Sequence, residues 1–215
     1  MPLYLDILPP AQRKLWPSLE DVPKNFILYG GTAIALQLGH RQSIDFDFFS
    51  DAPLNRNELI NHFTALEKGT LVQPEINTID CILDFPEGSV KLQFLGGLRN
   101  RQKRVDHPII ATDNQLAIAA LKDLFATKLN TIQHRAACKD YIDIHALIKS
   151  GLSLEVGLGC AMAVYGKIFD PATSLKALCS YRDGDLQELD HKIKKFLSKQ
   201  AASIETIPII KPINA

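Results

Sequence analysis

Asp45 and Asp47 stand two positions apart in IDFDFFS, residues 44–50, an apolar run with the character of a strand. Side chains alternate across a strand, so both carboxylates are expected on one face, with Ile44, Phe46 and Phe48 on the other. Two like charges side by side on a buried support repel. A divalent cation with a preference for hard oxygen ligands relieves that repulsion. Upstream, Gly30-Gly31 follows a short apolar strand at 26–29 and leads into a helix. Residues without Cβ let backbone N–H groups approach a ligand where a helix begins, and phosphate is the natural ligand there. Alone, the glycine pair reads equally as a tight turn, and either aspartate as a cap or ion-pair partner. Strand, glycine pair, helix and paired acids in that order are far more specific.

A second cluster lies in KDLFATKLNTIQHRAACKDYIDIH, residues 122–145. Lys128, Arg135 and Lys139 are spaced so that, on one continuous helix, all three would fall within roughly 40 degrees of one another. Like charges at such spacing weaken an isolated helix, so the stripe is expected to face an anion such as a triphosphate. Taken alone it is equally a solvated or salt-bridged face. Asp143, four beyond Lys139, is a candidate to pair with it or to act as a carboxylate near the reacting phosphate, with Asp140 and Tyr141 beside it.

The elements that must position these groups follow from periodicity and punctuation. Residues 1–25 form a helical lead-in that ends at the Asp21-Val22-Pro23 turn signal. A buried helix is expected over 32–38, with Ile34 and Leu38 four apart and Gly39 as its C-cap. Asn55 is an N-cap with Glu58 completing a capping box, for a helix to about 67 that buries Leu59, Phe63 and Leu66. Three strands follow at 71–75, 78–85 and 90–95, the last two joined as a hairpin through Pro86-Glu87-Gly88-Ser89. Arg99, Arg101, Lys103 and Arg104 make the most basic stretch, a solvated turn or a nucleic-acid contact. Asp113 or Asn114 is expected to open a long helix through Leu116, Ala119, Ala120, Leu124 and Leu129; further helices are expected at 138–149, 153–165 and 186–199. The IPIIKPINA tail reads as extended. The pattern predicts an α+β protein: a sheet domain at 1–110, then a helical domain at 111–215 that carries the basic stripe, with the site in the cleft between them.

Composition sets the class. Among 215 residues, Lys plus Arg and Asp plus Glu number 24 each, so no global basic field draws the chain to nucleic acid or anionic membrane. The four cysteines, Cys81, Cys138, Cys160 and Cys179, lack CxxC spacing, and the six histidines form no zinc pattern. No leader and no apolar run of roughly 18 residues is evident, so the expectation is a cytoplasmic protein without a membrane partner.

GGTAIALQLGHRQSIDFDFFS resembles the signature of polymerase-β-like nucleotidyltransferases. With LKDLFATKLNTIQHRAACKDYIDIHAL downstream, the chain resembles the AbiEii/AbiGii toxin-type nucleotidyltransferase family over roughly residues 26–150. The resemblance implies a minimal nucleotidyltransferase fold, a mixed sheet flanked by helices and followed by a helical C-terminal domain. It also implies an NTP substrate, Mg2+ or Mn2+, transfer to a hydroxyl acceptor, in some members on tRNA, and a cognate antitoxin. Carried over by position, Gly30, Gly31 and Thr32 would cradle phosphates and Asp45 and Asp47 would hold the metal. Lys128 would contact the triphosphate, with Arg135, Lys139 and Asp140 in the same block and Asp143 as a further catalytic carboxylate. Where many members of the wider superfamily place a third carboxylate, this chain has Gln93; Asp84 on the neighbouring strand is a substitute. Two other readings stand beside a toxin enzyme. One is a non-catalytic nucleotide-binding regulator or subunit, the other an antibiotic-modifying nucleotidyltransferase.

Overall fold

A computed structural model of the chain describes residues 2–98 and 103–213, apart from the side chains at 73 and 74. Arg99 and Arg101 of the basic stretch lie outside the described residues. The chain divides into two units, Met1–Gln102 with Pro108–Ala119, and Lys103–His107 with Ala120–Ala215. The boundary expected at residue 110 therefore moves to 119/120, and the chain enters the second unit briefly before it. Two interactions explain this. The carboxylate of Asp123 accepts from the N–H groups of Val105 (2.8 Å) and Asp106 (3.1 Å), and Lys103 N–H donates to the Val164 carbonyl at 3.1 Å.

The first unit is built on a mixed sheet of β1 (Ile27–Tyr29), β2 (Asp45–Phe49), β3 (Thr70–Glu75), β4 (Thr78–Phe85), β5 (Gly88–Leu95), β6 (Ile109–Ile110) and β7 (Ala117–Ile118). Their spatial order is β3-β4-β5-β2-β1-β7-β6. The β2–β5 and β1–β7 pairs are parallel and the others antiparallel. Its short helices are α1 (Pro10–Leu15), α2 (Gly30–Leu38) and α3 (Arg56–His62). Phe46, Phe48 and Phe94 are fully buried, and Phe48 stacks on Phe94 at 4.7 Å, so apolar alternation along β2 and β5 seals one sheet face. Ile44 departs from that expectation: it precedes the strand and is 58% exposed.

Asp113 and Asn114 do not open a helix. Asp113 accepts from the Trp16 indole N–H at 2.6 Å, and Asn114 donates to the Trp16 carbonyl at 2.8 Å while accepting from Leu116 N–H. These bonds make a turn that launches β7, and the helix waits until Leu121. Local competition by Asp and Asn side chains outweighs the apolar periodicity there.

The second unit comprises α4 (Leu121–Thr131), α5 (Cys138–Lys149), α6 (Leu154–Tyr165), α7 (Pro171–Ala177) and α8 (His191–Ala202). At Gly157 of α6 a side chain would overlap the Phe125 ring of α4, so the glycine sets their close approach. The helix expected from residue 186 begins at His191, where Asp190 caps α8 by accepting from Lys192 N–H at 2.7 Å. The tail is extended as expected, with Ile213 N–H donating to the Arg104 carbonyl at 2.8 Å. Among the described residues no single helix is long and apolar enough to cross a membrane.

Candidate active site

The turn from β1 into α2 is tighter than periodicity suggests, because Gly30 and Gly31 already form the first residues of the helix. Gly30 adopts φ +71°, a region that L side chains resist, and a Cβ there would overlap the carboxylate of Asp47. The glycine thus lets the Asp47 carboxylate lie directly against the helix start. At Gly31 a Cβ would collide with the Arg41 guanidinium and crowd the Ser43 hydroxyl. Arg41 is therefore brought to the same turn, and its closeness in sequence to both motifs was the available signal. Gly39 ends α2 at φ +65°, its N–H donating to the Ala35 carbonyl.

Thr32 departs from its expected place. Its side chain is buried, and its hydroxyl donates to the Asp45 carbonyl and lies 2.9 Å from the Ser43 hydroxyl. The side chain ties α2 to the start of β2 and offers a phosphate only its backbone N–H.

Asp45 and Asp47 are half-buried on one face of β2, as alternation requires, while Phe46 and Phe48 take the other. Across the sheet, Asp47 is in register with Tyr29 on β1 and with Gln93 on β5, and Gln93 with Asp80 on β4. The position expected for a third carboxylate is therefore Gln93, directly beside Asp47. Asp84 does not substitute for it: it sits at the exposed hairpin end, accepting from Ser89 at 2.5 Å. Among the described residues no group of three or more His, Cys, Asp or Glu is placed to hold a metal by itself. Two hard-oxygen carboxylates on one rigid strand still fit a divalent cation whose remaining ligands come from substrate phosphates and water.

In the second unit α4 ends at Thr131 and α5 begins at Cys138, so Lys128, Arg135 and Lys139 do not lie on one continuous helix. The single stripe does not form. Lys128 is instead 5% exposed, its ammonium 2.7 Å from Asp140 and 2.8 Å from Asp143, both fully buried. Arg135 closes the cluster from its half-exposed side, Nε to Asp140 Oδ2 at 2.7 Å and Nη2 to Oδ1 at 3.0 Å. Lys139 is exposed. Burial disfavours the Asp140 charge, but Arg135 and Lys128 outweigh it and hold that carboxyl below its ordinary range. Lys128 and Asp143 thus face each other rather than solvent.

Asp123, which the sequence did not single out, is the other buried acid of this unit. Burial pushes its pKa up to about 6, against the lowering effect of its bonds from Val105 and Asp106. A folded pKa above the unfolded value of 3.8 means that the Asp123 contribution to stability is greatest below that value and is lost as pH rises through about 6. Asp123→Asn is expected to remove this component, so that denaturant midpoints measured from pH 4 to 6 flatten relative to the unsubstituted chain.

Comparison with known proteins bears on the family and the fold. A protein of Aquifex aeolicus (strain VF5), aq_aa25, is 28% identical over 127 residues, a match spanning 58% of each chain. The chain thus spans little more than half the length of that curated relative. MenT4, the nucleotidyltransferase toxin Rv2826c from Mycobacterium tuberculosis H37Rv, superposes with TM-score 0.59 at 15% identity, covering 94% of this chain and 84% of its own. The antibiotic-resistance factor ANT(2'')-Ia superposes with TM-score 0.50 at 12% identity, covering 70% of this chain and 86% of its own. At those identities the likeness is one of fold. The family model for the nucleotidyl transferase AbiEii toxin of type IV toxin-antitoxin systems matches residues 15–205, and the chain belongs to that family.

Proposed function

We propose that the chain transfers a nucleoside monophosphate from an NTP to a hydroxyl, releasing pyrophosphate, and acts as the toxin of a toxin-antitoxin pair. The observation that carries this reading is the packing of Asp47 against Gly30, which sets the paired carboxylates of β2 beside the amides that open α2. In the reaction, the acceptor oxygen forms a bond to the α-phosphorus, the bond to the pyrophosphate oxygen breaks, and the hydroxyl proton passes to a base or to water. Gly30 and Gly31 receive phosphate oxygens through backbone N–H groups at the positive end of the helix. Asp45 and Asp47 hold Mg2+ or Mn2+, which when bound neutralises phosphate charge and acidifies the attacking hydroxyl. Arg135 and Lys139, whose side chains reach solvent, are proposed as the second unit's own contacts to phosphate. Lys128 and Asp143 act through the buried cluster, setting Asp140 and hence Arg135. An RNA acceptor, tRNA among them, a cognate antitoxin protein and a cytoplasmic location complete the proposal.

The test uses each labelled NTP with Mg2+ and total RNA or protein extract. Label is expected to move to an acceptor with Mg2+ and to stop moving when EDTA removes the cation. Transfer indifferent to EDTA would overturn the assignment. Gln93 favours one other reading, a nucleotide-binding regulator without chemistry, because it removes one ligand charge. Calorimetry showing tight NTP binding without metal, together with no transfer to any acceptor, would select it.

A further inference from the structure

Gln93 is not simply a lost carboxylate. Its Nε2 donates to Asp80 Oδ1 at 2.7 Å, while the other Asp80 oxygen lies 3.5 Å from the Lys91 ammonium. A carboxylate only accepts, so the nitrogen end of the Gln93 amide must face β4, and the amide oxygen is left for other partners. Asp47, Gln93 and Asp80 occupy one rung across three adjacent strands. Strand spacing of about 4.8 Å puts the Asp80 backbone roughly 9.6 Å from that of Asp47 across the sheet, with Gln93 between them. With its two oxygens engaged by Gln93 and Lys91, Asp80 acts on the site through Gln93.

We infer that Asp80 is a positioning residue that orients the Gln93 amide so that its oxygen joins Asp45 and Asp47 as a neutral ligand for the divalent cation. The inference rests on the metal reading proposed above and deepens it. Lys91, in register with Asp45 and paired with Asp80, keeps the second Asp80 oxygen engaged, which leaves the first for the amide. Two carboxylates and an amide carry one negative charge fewer than three carboxylates, so the protein's own ligands suit a single cation. The simpler account, an ordinary cross-strand contact on a partly exposed face, predicts a small effect on stability and none on metal.

The test is Mn2+ affinity of the whole chain, read from the electron paramagnetic resonance signal of free Mn2+, with circular dichroism confirming the fold. Asp80→Ala is expected to weaken Mn2+ binding by about 10- to 100-fold, the usual effect of losing a group that orients a ligand. Asp80→Asn, which keeps an acceptor oxygen but not the charge, is expected to lose clearly less. Asp80→Ala combined with Gln93→Ala should bind no more weakly than Gln93→Ala alone, because one acts through the other. Equal losses in Asp80→Asn and Asp80→Ala would make Asp80 a distant charge and overturn its positioning role. Additive losses, or no loss at all, would overturn it as well. Asp47→Ala separates this from the underlying reading: if Mn2+ binding is indifferent to that change, the cation site itself is wrong and the inference falls with it. If only the Asp80 and Gln93 results fail, the site stands without it.

Discussion

Asp47→Ala is expected to lower kcat/KM for nucleotide transfer by on the order of 10³-fold or more, about 4 kcal/mol of transition-state stabilisation, while the chain keeps its fold. Half of the proposed carboxylate pair is removed, and no acid among the described residues stands ready to replace it. Asp80 is held by Gln93 and Lys91, and Asp84 is held at the hairpin end. The fold should survive because Asp47 is half-buried on the polar face of β2, whereas the strand is anchored by Phe46 and Phe48 on the other face. Gly30→Ala would reach the same carboxylate from the opposite side, since its Cβ overlaps Asp47 and its φ is positive. It should therefore lose activity together with stability, which Asp47→Ala does not. Initial rates with a labelled NTP, beside thermal melts of both variants, distinguish the two. Transfer by Asp47→Ala at the unsubstituted rate would refute the site.

Lys128→Met should destabilise the chain by about 3–5 kcal/mol, the usual result of leaving a buried ion cluster without its central charge. Asp140 and Asp143 are fully buried, and Lys128 contacts both. Arg135 still reaches Asp140, but the ion pair between Lys128 and Asp143 is lost. Against total stabilities of about 5–15 kcal/mol this is a large fraction, a fall in Tm on the order of 10 °C. The pH dependence follows from the Asp140 carboxyl. With its folded pKa held below the unfolded value, it contributes stability above the unfolded pKa and loses it as pH falls through the folded pKa. In Lys128→Met that support weakens and the Asp140 carboxyl pKa rises, so the deficit should be largest at neutral pH and shrink toward pH 4. Adding Asp140→Asn and Asp143→Asn should recover most of the loss, because a neutral cluster no longer buries unmatched charge. Denaturant titrations across pH measure both effects, and a Lys128→Met chain as stable as its parent would show that the cluster contributes nothing.

The amino-acid order alone determined the strand, glycine pair, helix and acid-bearing strand of the first motif. Alternation along β2 puts Asp45 and Asp47 on one face whatever surrounds them, and glycines at a strand-to-helix junction are a local backbone requirement. The Asn55 cap, accepting from Glu58 N–H at 3.2 Å, and the hairpin closed at Gly88 were legible for the same reason. What failed was whatever depended on partners distant in sequence. Apolar spacing through Leu116 and Ala119 looked helical until Trp16 supplied the bonds that turn Asp113 and Asn114 into a turn. The basic stripe assumed a continuous helix, and the break between Thr131 and Cys138 dissolved it. Only tertiary structure decided that Lys128 lies buried between two aspartates and that Gln93 is held by Asp80. Charge type is written in the sequence, but whether a charge meets solvent, an anion or another side chain is set by which strands and helices pack together.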